Sequence, residues 1–211
     1  MENLRLCRGD NMGSRDVVPG LMIRLQQDQE CYDFLKWWAT TGQKHDYDWG
    51  NTTLPYLDIK NANPLEPVDM FCDKLIDLHH LVSVTLVKAK VLQVILTRMR
   101  SPDESVAHML GLRLEPSTIA NCADGWLEGV RLKAQIRVLY ENVHKLNPHF
   151  WPALVNPGGN LEAKTTMFSI GSADQMRVAL NLTYEAWHEA PGAIAVIEMA
   201  IEINLDEVPV N

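Results

Sequence analysis

The chain is short of most features that announce a chemistry. Its four cysteines, Cys7, Cys31, Cys72 and Cys122, never approach the two-to-four-residue spacing of a zinc knuckle. That spacing excludes a recognisable structural zinc module and a disulfide scaffold, and leaves reduced thiols as the expectation. No Gly-x-Ser-x-Gly elbow, glycine-rich phosphate loop or dinucleotide fingerprint occurs. Nothing in the sequence therefore assembles a nucleophile, a base and an oxyanion site. Basic residues are outnumbered, 19 Lys and Arg against 27 Asp and Glu, for a net charge of −8. Surfaces that neutralise many phosphates are usually basic. Among Lys88 and Lys90, Arg98 and Arg100, and Arg131, Lys133 and Arg137, only Lys133 and Arg137 share a helix face. Nucleic acid is not an expected partner. Long uncharged apolar runs are missing too. The most hydrophobic segment, Leu78 to Met99, carries Lys88, Lys90 and Arg98, so no membrane partner is expected. Met1 to Arg15 is charged throughout and has no signal-peptide core. The expectation is a soluble cytoplasmic or nuclear protein.

What the chain does have is length and apolar content. Its 211 residues, 46% hydrophobic, suffice to bury roughly 70% of the unfolded surface without a metal or disulfide staple. Strand signals are weak, and helical periodicity recurs throughout. The pattern predicts an all-α protein, an irregular helical bundle around a central buried helix at 78–99 with long wrapped loops. Residues 1–18 read as a polar, extended N-terminal arm, 19–203 as one helical domain and 204–211 as a C-terminal tail. A helix starts at Pro19 and runs to about Ala39, its stripe formed by Leu21, Leu25, Tyr32, Leu35 and Ala39, with Asp28 on the same face. Gln43 to Pro67 is a long connector, wrapped over the surface by its aromatic residues. The helix from Leu78 is apolar around nearly its whole circumference and must be buried on all sides. Ser101-Pro102-Asp103-Glu104 starts a short helix that Gly111 closes, and Pro116 to Asp124 forms one or two turns. Trp126 to Leu146 is amphipathic, and Pro148 to Asn160 is a proline- and glycine-rich loop. Ser172 and Gln175 form a capping box for a helix reaching Glu189, and Pro191 opens a last helix anchored by Ile194, Ile197 and Ile201.

Two groups of residues stand out as candidate sites. The first is polar: Asp28, Gln29, Tyr47 and Trp49. A carboxylate on an apolar stripe needs a donor brought by a distant segment, and the Tyr47 to Asn51 turn is the expected source. The second is aromatic: Trp37, Trp38, Phe150 and Trp151 as the lip of a pocket or partner surface, with a plain hydrophobic plug as the competing reading for Phe150 and Trp151. The adjacent His79 and His80 point in different directions and are expected to be core or capping histidines. With Asp73 or Asp77 they give no diagnostic ligand spacing. No metal and no cofactor is expected.

Several stretches carry a family likeness: Arg8-Gly9-Asp10-Asn11, Arg15 to Pro19, the run Asp28 to Gly42, Tyr47-Asp48-Trp49-Gly50, Leu57-Asp58, Glu66 to Asp69 and Phe150 to Leu154. In these the chain resembles a largely uncharacterised family of fungal proteins, over about Leu4 to Ile197. In many of those proteins the helical region follows a MYND-type zinc finger, which recruits partners through short proline-containing motifs. This chain has no Cys/His ligand set for the finger, so the finger's recruitment is not implied. The resemblance implies a helical fold and a fungal origin, and no catalytic residues. The function expected is a non-catalytic protein-interaction or scaffold module with a protein partner. The alternative is a small-molecule binder or enzyme with a pocket inside the bundle, accessory to a fungal metabolic pathway.

Overall fold

The computed structural model of the chain describes residues 2–72, 77–100, 111–114, 125–162 and 167–206. The helix expected from Ser101 to Gly111 and the turns expected over 116–124 lie almost wholly outside these residues, as do Asp73 and Cys122. Among the described residues the fold is all-α. In chain order come α1 (Glu2–Leu6), α2 (Ser14–Arg24), α3 (Asp28–Thr40), α4 (Leu78–Arg100), α5 (Gly125–Leu146), α6 (Phe150–Val155), α7 (Ala173–Glu189) and α8 (Ala193–Asp206).

The N-terminal segment is not an extended arm. Leu4, on α1, is buried, and α2 begins at Ser14, five residues before the proline expected to open it. The Asp10 carboxylate accepts from the Ser14 amide at 2.8 Å and the Arg15 amide at 2.7 Å, so a side chain four residues upstream caps the helix. Pro19 consequently sits in the helix interior. Its missing N–H leaves the Arg15 carbonyl without its helical donor, and His80 Nε2 donates to that carbonyl at 3.1 Å. Gly20 lets α2 cross α7 closely, because a Cβ there would lie 2.5 Å from the Leu182 carbonyl oxygen.

The single helix expected from Pro19 to Ala39 is two. Gln26 adopts a left-handed conformation at φ 58°. The Gln27 amide donates to the Met22 carbonyl and the Gln26 amide to that of Ile23, which is a Schellman ending with glutamine where glycine is usual. The polar run Gln26-Gln27 marks the break. The break also rotates the first half of the expected stripe, so Leu21 and Leu25 are exposed while Met22 and Ile23 are buried.

α4 is the central helix, as its all-round apolar pattern requires. By length and mean hydropathy Leu78–Met99 would suit a membrane, yet 83% of its apolar window is buried inside the protein, the pattern of a core helix. It packs most extensively along α5 and also touches α2, α3, α7 and α8. Its burial extends to Lys88 and Lys90. The connector after α3 wraps as expected. The Arg8 guanidinium donates to the carbonyls of Asn51, Thr52 and Leu54 at 2.8–3.1 Å, and Asp33 accepts from the amides of Asn61 and Ala62.

Two further expectations change. Phe150 to Val155 is helical rather than loop. The last helix continues to Asp206, three residues into the expected tail. Ser172 does cap α7, its Oγ accepting from the Gln175 amide at 3.1 Å, while the Gln175 side chain accepts from the Gly171 amide.

Candidate functional site

Asp28, at the first position of α3, is fully buried. Its donors come neither from Tyr47 nor from the turn that follows. Lys90 of α4 donates to Oδ1 at 2.6 Å, and the backbone amide of Arg113 donates to Oδ2 at 3.0 Å. Lys90 donates again to the Gly111 carbonyl at 3.1 Å. Burial pushes the Asp28 carboxyl upward, with the Lys90 ammonium opposing it. The geometry is that of a structural ion pair tying α3, α4 and the 111–114 segment. Gln29, beside it, donates from Nε2 to Asp33 and to the Ala62 carbonyl, which anchors the connector. Glu30 is exposed.

Tyr47 and Trp49 belong to a different region. With Tyr56 they surround Trp37 edge-on at centroid separations of 4.9–6.2 Å, and Trp49 stacks on Trp38 at 5.6 Å. Trp37 Nε1 donates to Asp58 at 3.0 Å. A shallow cavity of about 360 Å³ opens beside this cluster, lined by Lys44, Asp46, Tyr47 and Asp58. Trp37 itself is fully buried. Phe150 and Trp151 sit in a second cluster. Trp151 stacks on Tyr140 at 5.5 Å, meets Trp187 edge-on, and donates from Nε1 to the Tyr140 carbonyl. Both Phe150 and Trp151 are fully buried, so they plug the bundle and form no lip. The four aromatic residues expected at one opening are thus divided between two packed regions.

Lys88 is a feature that sequence reasoning missed. It is fully buried, and its ammonium donates to the carbonyls of Pro64 and Glu66 at 2.8 Å and to Gln135 Oε1 at 2.7 Å. Gln135 donates in turn to the Leu65 carbonyl. The three acceptors use all three ammonium hydrogens, while burial, partly offset by Glu66, brings the group down to about 7. This cage fastens the end of the connector to α4 and α5. The signal was present in the sequence: a helix apolar all round that carries two lysines must supply both with partners.

A second missed feature lies at the start of α4. His79 and His80 are both buried, in line with their expected core character. Asp77 accepts from the His79 amide at 3.0 Å, as the cap of α4, and its Oδ1 lies 2.6 Å from His79 Nδ1. Asp16 of α2 joins them, and ligand atoms of the three side chains all lie within 4.8 Å of one another. Burial would push the Asp77 carboxyl up, but the hydrogen bonds and charge of His79 outweigh it and hold it well below the usual carboxylate range. Burial, and then Asp77, push the Asp16 carboxyl up.

An apolar groove of about 370 Å³ runs between α4, α5 and α8. Leu92, Ile136, Val196, Met199 and Ala200 line it, with the exposed Lys133 and Arg137 on its rim. Cys7, Cys31 and Cys72 form no disulfide, and burial pushes the Cys31 thiol well above its ordinary range, which makes it a poor nucleophile.

Comparison with models of known families, with curated proteins and with solved structures gives no match for this chain.

Proposed function

We propose that the chain is a non-catalytic protein-interaction or scaffold module that receives an apolar, acid-flanked helical segment of a partner. The observation that carries this reading is the groove between α4, α5 and α8. Its floor is apolar, and Lys133 and Arg137 stand one helical turn apart on its rim. An amphipathic helix laid in such a groove buries its apolar face and sets acidic residues against Lys133 and against Arg137, which within the chain pairs with Glu141 at 3.3 Å. The acidic total of the chain makes this basic rim a local feature. Among the described residues, Asp28, Lys88, Lys90, Trp37 and Trp151 all have intramolecular partners, which favours an interaction role over a catalytic one.

The alternative is a small-molecule binder or enzyme. The groove volume lies within the range of small-ligand sites, and an apolar molecule with a carboxylate would fit the same chemistry. A photo-crosslinker at Met199 distinguishes the two. The interaction reading expects one discrete protein adduct, lost with Ala200→Trp, which fills the groove, and weakened when Lys133 and Arg137 are both changed to Glu. Adducts that persist in both variants contradict it. A metabolite that co-purifies with the native chain and is displaced by Ala200→Trp establishes the alternative.

A further inference from the structure

The geometry points to a binding site for a divalent transition-metal ion, formed by Asp16, Asp77 and His79 where α2 meets the first turn of α4. Two carboxylates and an imidazole present ligand atoms within 4.8 Å of one another. Ligands of a first-row ion at about 2.0–2.2 Å stand roughly 3–3.5 Å apart, so a side-chain adjustment of about 1 Å brings the three together. The site is also incompletely satisfied. Asp16 Oδ1 and His79 Nε2 are both closed off from solvent and have no hydrogen-bond partner. The His79 side chain is only 3% exposed. Its Nδ1 is engaged with Asp77, which leaves its second nitrogen as a buried donor or acceptor with no counterpart. Buried polar atoms in native proteins are nearly always paired with protein, water or an ion, and here two such atoms lie in one cluster of potential ligands.

The charge around Asp16 leads the same way. The nearest ion-pair contact of Asp16 is Arg15 Nε at 3.8 Å, and the Arg15 guanidinium lies over the Trp38 ring at 5.2 Å from its centroid, within the ~6 Å reach of a cation–π contact. Asp10 is occupied as the cap of α2. Two carboxylates are therefore held close together beside the His79 imidazole. A mixed nitrogen and oxygen set with one imidazole suits Zn²⁺, Co²⁺ or Mn²⁺, whereas Ca²⁺ and Mg²⁺ favour oxygen alone. Three protein ligands leave a coordination position for water. The side chains of Asp16 and Asp77 are 26% and 31% exposed, which gives an ion a path in from solvent. Such an ion would clamp α2 to the start of α4.

The test uses the full chain after dialysis against a chelator. Titration with ZnCl₂ in a calorimeter should show one ion per chain and a raised melting temperature, and CoCl₂ should produce visible ligand-field bands. Asp16→Asn, isosteric and partly exposed, should keep the metal-free fold and weaken Zn²⁺ at least about tenfold. His79→Gln should do the same. If the buried His79 variant does not fold, Asp16→Asn and the Co²⁺ spectrum of the unaltered chain decide. Absence of Zn²⁺ uptake, uptake unchanged by Asp16→Asn, or tighter binding of Mg²⁺ or Ca²⁺ than of Zn²⁺ would overturn the site.

Discussion

The middle of α4 and its first turn handle buried charge in opposite ways. Lys88 and Lys90 are almost inaccessible, and each ammonium is matched. Lys88 meets three oxygens from two other segments, and Lys90 meets the Asp28 carboxylate and a backbone carbonyl. Two to three turns earlier, Asp77 and His79 face Asp16, and this group contains two buried atoms with no partner. Both arrangements take ionisable groups out of water. Only the first recovers the desolvation cost through complete pairing within the chain. The contrast separates charge that builds the fold from charge arranged to receive something.

The largest effect should come from breaking the satisfied side. Lys90→Met leaves the Asp28 carboxylate buried beside the Arg113 amide alone and should cost about 3–5 kcal/mol in urea unfolding. Asp28→Asn should be costly as well, because it strands the Lys90 ammonium. Lys88→Met comes next. It removes the donor for Pro64, Glu66 and Gln135 and should cost roughly 1–3 kcal/mol. This variant also has a pH signature. The unfolded chain keeps the Lys88 proton up to about 10.5, while the folded chain releases it near 7. The unfolded state therefore binds more protons across that window, and stability should rise with pH through it. Denaturation midpoints at several pH values should show this slope in the native chain and its loss in Lys88→Met. The smallest effect belongs to the unsatisfied side. In metal-free protein, Asp16→Asn relieves repulsion with Asp77 and should leave the melting temperature unchanged or slightly higher. A marked fall would place Asp16 among the structural charges and erase the contrast.

Much of the fold was legible because it depends on local pattern. The all-round apolar character of Leu78–Met99 required a central helix, and Ser172 with Gln175 marked the start of α7. The break at Gln26-Gln27 was not legible, because a glutamine in the left-handed region carries no sequence mark comparable to glycine. The candidate site was harder to read. Asp28 was recognised as a buried carboxylate in need of a donor, yet that donor lies 62 residues away on α4. Asp16 and His79 are likewise brought together by the crossing of two helices, and spacing arguments see ligands only when they lie close in sequence. Phe150 and Trp151 were conspicuous because prolines flank them, but prolines do not reveal which way the rings face. Here they face Tyr140 and Trp187.

The central claim is that the Asp28–Lys90 pair holds the fold together, and a double-mutant cycle on it is the most direct test. Unfolding free energies would be measured for Asp28→Leu, Lys90→Met, the double variant and the native chain. Each single change strands one buried charge, so the double variant should be clearly more stable than the sum of the two losses predicts. Strictly additive losses would mean that the two groups do not interact, and would contradict the account.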